Sequence, residues 1–157
     1  MQKITPCLWF DGKAEEAANF YLSVFKDSKI VSIMHYGEAA AGPKGSVLSV
    51  TFAIEGQEFI ALNGGPHFTF SPAISLFVAC ETQREVDDLW AKLSAGGAAE
   101  RCGWLKDKYG VSWQIVPTIL GEMLRDKDAE KSMRVMRALL AMDKLDIGRL
   151  KQAYEGP

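Results

Sequence analysis

The sequence predicts an α+β protein built from two βαβββ repeats that form a curved open barrel, with a C-terminal helical extension. Three observations carry this reading. A short apolar strand followed by an amphipathic helix and further strands occurs twice; the helices align, Asn19-Phe20-Tyr21 falling on Asp88-Leu89-Trp90; and the composition shifts to helix formers after Pro117.

Taken in order, Lys3 to Phe10 is apolar and β-rich and ends at Asp11-Gly12. Ala14, Ala17, Ala18, Tyr21, Leu22 and Phe25 then mark one face of a helix, which Asp27-Ser28 stops. Lys29 to Tyr36, Val47 to Ile54 and Glu58 to Leu62 read as strands, with a loop at Gly37 to Gly45 and a tight hairpin at Glu55-Gly56-Gln57. The second repeat opens with a strand at Ala73 to Cys80. Thr82-Gln83-Arg84-Glu85 forms a capping box for a helix with Val86, Leu89, Trp90 and Leu93 on its apolar side, closed by Gly96-Gly97. Ala99 to Leu105 and Val111 to Val116 supply strands around the turn Lys106 to Gly110, which matches the Gly56 turn; Ala98 to Arg101 fits loop or strand. Residues 1–117 thus form the paired-repeat domain, with repeats 1–63 and 72–117. Residues 118–157 form the extension, with helices over Ile119 to Leu124, Asp128 to Met142 and Asp146 to Tyr154, and with Asp128 and Asp146 as N-caps. Met133, Met136, Leu139 and Leu140 fall on one side of the middle helix and suit core or interface packing.

Composition narrows the partners. With 48% hydrophobic and 24% charged residues the chain is of the globular type, and a net charge of -2 offers no basic field for a phosphate backbone, so no nucleic acid is expected. Neither a basic leader nor an apolar run of spanning length is present, and a cytoplasmic protein without a membrane partner is the expectation. The three cysteines, Cys7, Cys80 and Cys102, form no CxxC pair, so reduced thiols are expected.

Two sets of motifs carry a resemblance. Phe10-Asp11-Gly12 with Asn19-Phe20-Tyr21, and Asp107-Lys108-Tyr109-Gly110 with Trp113-Gln114-Ile115, resemble the glyoxalase-like vicinal oxygen chelate superfamily. Leu62-Asn63-Gly64-Gly65-Pro66, Asp87-Asp88-Leu89-Trp90, and Cys102 to Asp107 running on to Ser112 to Pro117 resemble its PhnB-like, 3-demethylubiquinone methyltransferase-like group. The resemblance implies a glyoxalase-like barrel with a ligand cleft and association into a homodimer to which the C-terminal helices contribute. It also implies metal-ligand slots on the first and last strand of each repeat. Counting from Tyr21 and Trp90, and from Gly56 and Gly110, places them at Pro6, Ser75, Ile60 and Gln114. Divalent metals favour imidazole, carboxylate or thiolate donors, so no metal is expected there. A register shift of one residue would bring neighbouring side chains to that face instead. The group's name implies methyl transfer from S-adenosylmethionine, yet no GxG occurs, and no cofactor is expected.

The candidate ligand-binding residues are Trp9, Asn63, Phe70, Ser75, Trp104 and Gln114. Ser75 and Gln114 replace charged ligands by neutral hydrogen-bonding groups, or else satisfy each other. Asn63-Gly64-Gly65 offers bare backbone N–H groups, and the aromatics suit either core or cleft wall. His67, in the loop between repeats, and Cys102, on a strand beside Gly103-Trp104, are the candidate acid/base and nucleophile. Two functions follow: a module binding a small, partly aromatic or polar molecule, or a metal-independent enzyme using His67 or Cys102.

Overall fold

The computed structural model describes residues 2–39 and 42–156. Two residues of the expected loop, 40 and 41, and the outermost residues of the two expected domains, 1 and 157, lie outside that range. The chain divides into two compact units, Met1–Phe70 and Ser71–Pro157. Among the described residues the chain forms two four-stranded mixed sheets, both open, and five helices.

In the first unit, β1 (Cys7–Phe10), α1 (Ala14–Val24), β2 (Ser28–His35), β3 (Val47–Ile54) and β4 (Gln57–Asn63) form a sheet ordered β1-β4-β3-β2, with β1 parallel to β4 and the rest antiparallel. Strand alternation puts Leu8, Phe10, Val50, Phe52, Phe59 and Ala61 on one buried face. Helix α1 covers it with Ala14, Ala17, Ala18 and Tyr21, the alanines allowing close approach and the Tyr21 ring stacking on Phe52 with centroids 6.1 Å apart. The β3–β4 turn needs two left-handed residues, and Glu55 (φ 49°) and Gly56 (φ 80°) supply them. The first strand begins at Cys7, not at Lys3 as expected. Pro6 has no N–H to enter the ladder, although its carbonyl accepts from Ile60 N at 2.9 Å. Ahead of it, the Gln2 carboxamide pairs with both the carbonyl and the N–H of Glu58 and stands in for a strand residue.

In the second unit, β5 (Ser75–Cys80), α2 (Gln83–Ser94), β6 (Ala98–Ala99), β7 (Trp104–Lys106) and β8 (Ser112–Pro117) form a sheet ordered β5-β8-β7-β6, with β5 parallel to β8. Thr82 caps the helix as expected, its Oγ1 accepting from Glu85 N, while the Glu85 carboxylate reaches back one residue further than a capping box requires and accepts from Glu81 N instead of Thr82 N. The strand expected over Ala99 to Leu105 is split. Cys102 (φ 61°) and Gly103 (φ 83°) are both left-handed, which breaks the ladder, and their N–H groups donate to Met142 O and Asp143 O instead.

The extension forms α3 (Thr118–Leu124), α4 (Ala129–Leu140) and α5 (Ile147–Glu155), capped by Asp128 and Asp146 as expected. Leu120, Met123, Val135, Met142, Leu145 and Leu150 pack with Val116 from the end of β8 into one cluster. Of the four residues expected on one side of α4, only Leu139 joins that cluster; Met133, Met136 and Leu140 point outward, 52%, 41% and 59% exposed. Among the described residues no helix is long and apolar enough to cross a membrane.

Candidate functional site on the second sheet

Alternation in the second sheet places Leu76, Val78 and Cys80 with Leu105, Trp113 and Ile115 on the face that α2 covers through Val86, Leu89 and Leu93. The opposite face carries Ser75 and Phe77 from β5, Ser112 and Gln114 from β8, and Trp104 and Lys106 from β7. Trp104, Gln114 and Phe77 lie in one row across three strands, so a carboxamide stands between an indole and a phenyl ring. Gln114 Nε2 donates to Ser75 Oγ at 2.9 Å, and no described residue donates to the Gln114 carboxamide oxygen. Phe77 is 60% exposed. Beside this pair, Ser112 Oγ is buried without a hydrogen-bond partner among the described residues. The face can therefore sandwich a planar group and offer it a neutral acceptor and hydroxyls, with Lys106 at its margin.

The turn before β8 fixes Trp113 and with it the phase of the strand. Buried Asp107 accepts from Tyr109 N at 2.8 Å, Val111 N at 3.1 Å and Trp113 Nε1 at 2.9 Å. With Trp113 held on the α2 side, Gln114 has to face the other way.

The remaining candidates sit elsewhere. Trp9, on the face of the first sheet away from α1, donates its Nε1 to Gly65 O at 2.8 Å and meets the Phe68 ring edge-on at 4.9 Å. The side chain of Asn63 accepts from Ala14 N at the start of α1 and donates to Val47 O, so it ties helix to sheet. Phe70 packs edge-on against buried Phe10 at 5.3 Å. His67 is exposed in the loop after β4, and its side chain makes no hydrogen bond among the described residues. Cys102 lies in the turn between β6 and β7, not on a strand, and is half-buried. Burial pushes the Cys80 thiol up to about 12, with the nearby Glu85 charge adding to the shift, and raises Cys7 in the same direction. A groove of about 400 Å³ lined by Arg134, Arg137, Arg149 and Gln152 belongs to the helical extension and lies apart from this sheet face.

Pairing also corrects the register of the metal slots. Ile60 is opposite Cys7, so Pro6 belongs to the other phase of the strand, and Gln114 is opposite Phe77, with Ser75 two residues earlier on the same face. Isoleucine and phenylalanine offer no donor atom, and a serine, a glutamine and one thiol do not make the imidazole–carboxylate set that a divalent ion needs. No group of three or more His, Cys, Asp or Glu side chains suited to a metal occurs among the described residues. Sequence reasoning missed Phe77 and Ser112; the two-residue period from Ser75 and from Gln114 was the signal that could have found them.

The family described as 3-demethylubiquinone-9 3-methyltransferase matches residues 2–116. Among solved structures, a PhnB protein from Bacillus cereus is 47% identical, covering 74% of this chain and 100% of that one, with a TM-score of 0.69. A Pseudomonas aeruginosa protein is 17% identical over 74% of this chain and 98% of its own, with a TM-score of 0.61. The Listeria monocytogenes fosfomycin resistance protein FosX, crystallised with Mn(II) and sulfate, is 14% identical over 80% of this chain and 98% of its own, with a TM-score of 0.50. The last two are similar in fold alone. No curated protein matches the chain.

Proposed function

The chain belongs to the 3-demethylubiquinone-9 3-methyltransferase family, as a PhnB-like member of the vicinal oxygen chelate superfamily, and from that premise we propose that it binds a small molecule on the second sheet without a metal ion. The observation that carries the reading is the Ser75–Gln114 hydrogen bond between Trp104 and Phe77, beside a buried Ser112 hydroxyl that has no partner among the described residues. Two exposed or half-buried rings favour a flat, partly aromatic ligand, and a neutral amide and hydroxyl favour uncharged polar groups over an ion. Ser112 Oγ, buried without a partner among the described residues, would gain one from a ligand that reaches it, and the neighbouring Gln114 oxygen adds an acceptor. The methyl transfer in the family's name requires S-adenosylmethionine. Two open mixed sheets without a GxG turn do not provide the glycine-rich phosphate loop of a doubly wound sheet, and no step is routed through that cofactor. We also infer a homodimer to which the C-terminal helices contribute.

A thermal-shift and calorimetric screen of neutral aromatic amides, phenols and quinones, run in a chelator and again with Zn, Ni or Mn, tests this. The expected result is a metal-independent shift that Gln114→Leu weakens at least about tenfold. A shift that appears only with a divalent ion, or a ligand whose affinity ignores Gln114→Leu and Trp104→Ala, overturns the reading. The alternative, a metal-independent enzyme using His67 or Cys102, has no hydrogen-bonded acid–base pair in its favour; turnover lost in His67→Ala or Cys102→Ala would establish it.

A further inference from the structure

Helix α4 has a second apolar face besides the one that joins the extension core. Ala129, Met133, Met136 and Leu140 recur at spacings of four, three and four, the seam period of a helix that pairs with another helix, and all four are exposed. One flank of this seam carries Glu130 and Arg137; the other carries Ser132 and Leu139. We propose that the seam is where two copies of this chain meet, as an antiparallel pair of α4 helices about a two-fold axis. The inference deepens the homodimer reading and rests on it.

The choice of occupant comes from self-complementarity. Setting Met133 against the partner's Met136 sets Ala129 against the partner's Leu140, small opposite large, and the two-fold axis repeats both layers. In an antiparallel pair like flanks meet, and this register brings Glu130 to the partner's Arg137 and Arg137 to the partner's Glu130. A parallel pair would set the charged flank against Ser132 and Leu139 and form neither ion pair. Glu130 is available for this contact, since among the described residues its only ion pair is a 3.5 Å approach to Arg134 with the glutamate side chain 81% exposed. The seam also lies beyond residue 116, where the family match ends, so it belongs to the extension and not to the shared sheets. One pair of twelve-residue helices buries less than the ~1,200 Å² of a stable interface, so association is weak, with a dissociation constant on the order of 10–100 µM.

Sedimentation equilibrium of the full chain from about 5 to about 500 µM reads the association directly. The expected result is a reversible monomer–dimer equilibrium that Met136→Glu weakens at least about tenfold and Glu130→Arg weakens about threefold or more. The double variant Glu130→Arg/Arg137→Glu is expected to recover wild-type affinity, which no loss of folding could mimic. A Met136→Glu protein that dimerises like wild type overturns the seam while leaving a homodimer through another surface. A double variant that does not recover overturns the antiparallel register. A wild-type chain that stays monomeric throughout overturns both the seam and the homodimer reading.

Discussion

Single side chains set the phase of the candidate site. The buried Asp107 carboxylate accepts from Tyr109 N, Val111 N and Trp113 Nε1, and Asp107→Ala would remove that acceptor from all three. We expect a loss of about 3 kcal/mol, read as a lower midpoint in urea, with Asp107→Asn losing less because it keeps one acceptor. A Cβ on Gly64 would sit 2.3 Å from the Trp9 ring, so Gly64→Ala should push the indole off Gly65 O, at a cost of about 1–3 kcal/mol and with a changed near-ultraviolet spectrum. The thiols should separate by reactivity. Cys80, fully buried with its pKa near 12, should stay silent toward a thiol reagent at pH 8 until the protein unfolds, whereas exposed Cys7 reacts in the native state. At this scale the sequence was informative where chemistry is local. Thr82, Asp128 and Asp146 cap their helices as read, because a cap needs only backbone N–H groups two or three residues away.

At the scale of elements, α2 and the extension are joined by polar ties. Gln83 donates to Leu145 O and accepts from Ile147 N, and Asp87 bridges Lys144 at 3.0 Å. Within the extension, the Tyr154 hydroxyl donates to Asp126. Hydrogen bonds from Gln83 and Lys144 hold the Asp87 carboxyl below its usual range, and that from Tyr154 does the same for Asp126. A carboxylate depressed in the folded state stabilises it above the ordinary value near 4, and that contribution fades as pH falls through the depressed value. The extension should therefore loosen in acid from about pH 4 downward, and Asp126→Asn and Asp87→Asn should flatten the melting temperature against pH in that window. Tyr154 is raised by the same bond to Asp126, so its contribution is present below the ordinary tyrosine value near 10 and is lost as pH rises past it. The elements that sequence patterning misread are those whose ends depend on distant partners. The strand expected through Cys102 breaks because the loop at Met142 and Asp143, some forty positions away, accepts its N–H groups.

For the chain as a whole, two compact units, Met1–Phe70 and Ser71–Pro157, each hold a four-stranded sheet with a helix on one face, and the second adds the helical extension. Leu145, buried completely, packs under Gly103 as well as in the helical cluster, and Leu145→Ala should cost about 2–4 kcal/mol, measured by denaturant unfolding followed both by far-ultraviolet signal and by Trp fluorescence. The sequence alone determined the order of strands and helices, the doubled βαβββ pattern, the family and the helix caps, because periodicity and capping are short-range properties of the chain. It also brought Ser75 and Gln114 forward as a pair. Only the tertiary structure decided that their side chains meet, that Phe77 and Trp104 flank them, that Cys7 and not Pro6 shares a phase with Ile60, and that Met133, Met136 and Leu140 face outward. The reason is physical: strand register and the facing of an amphipathic helix are set by which neighbour packs against it, and that neighbour is remote in the sequence.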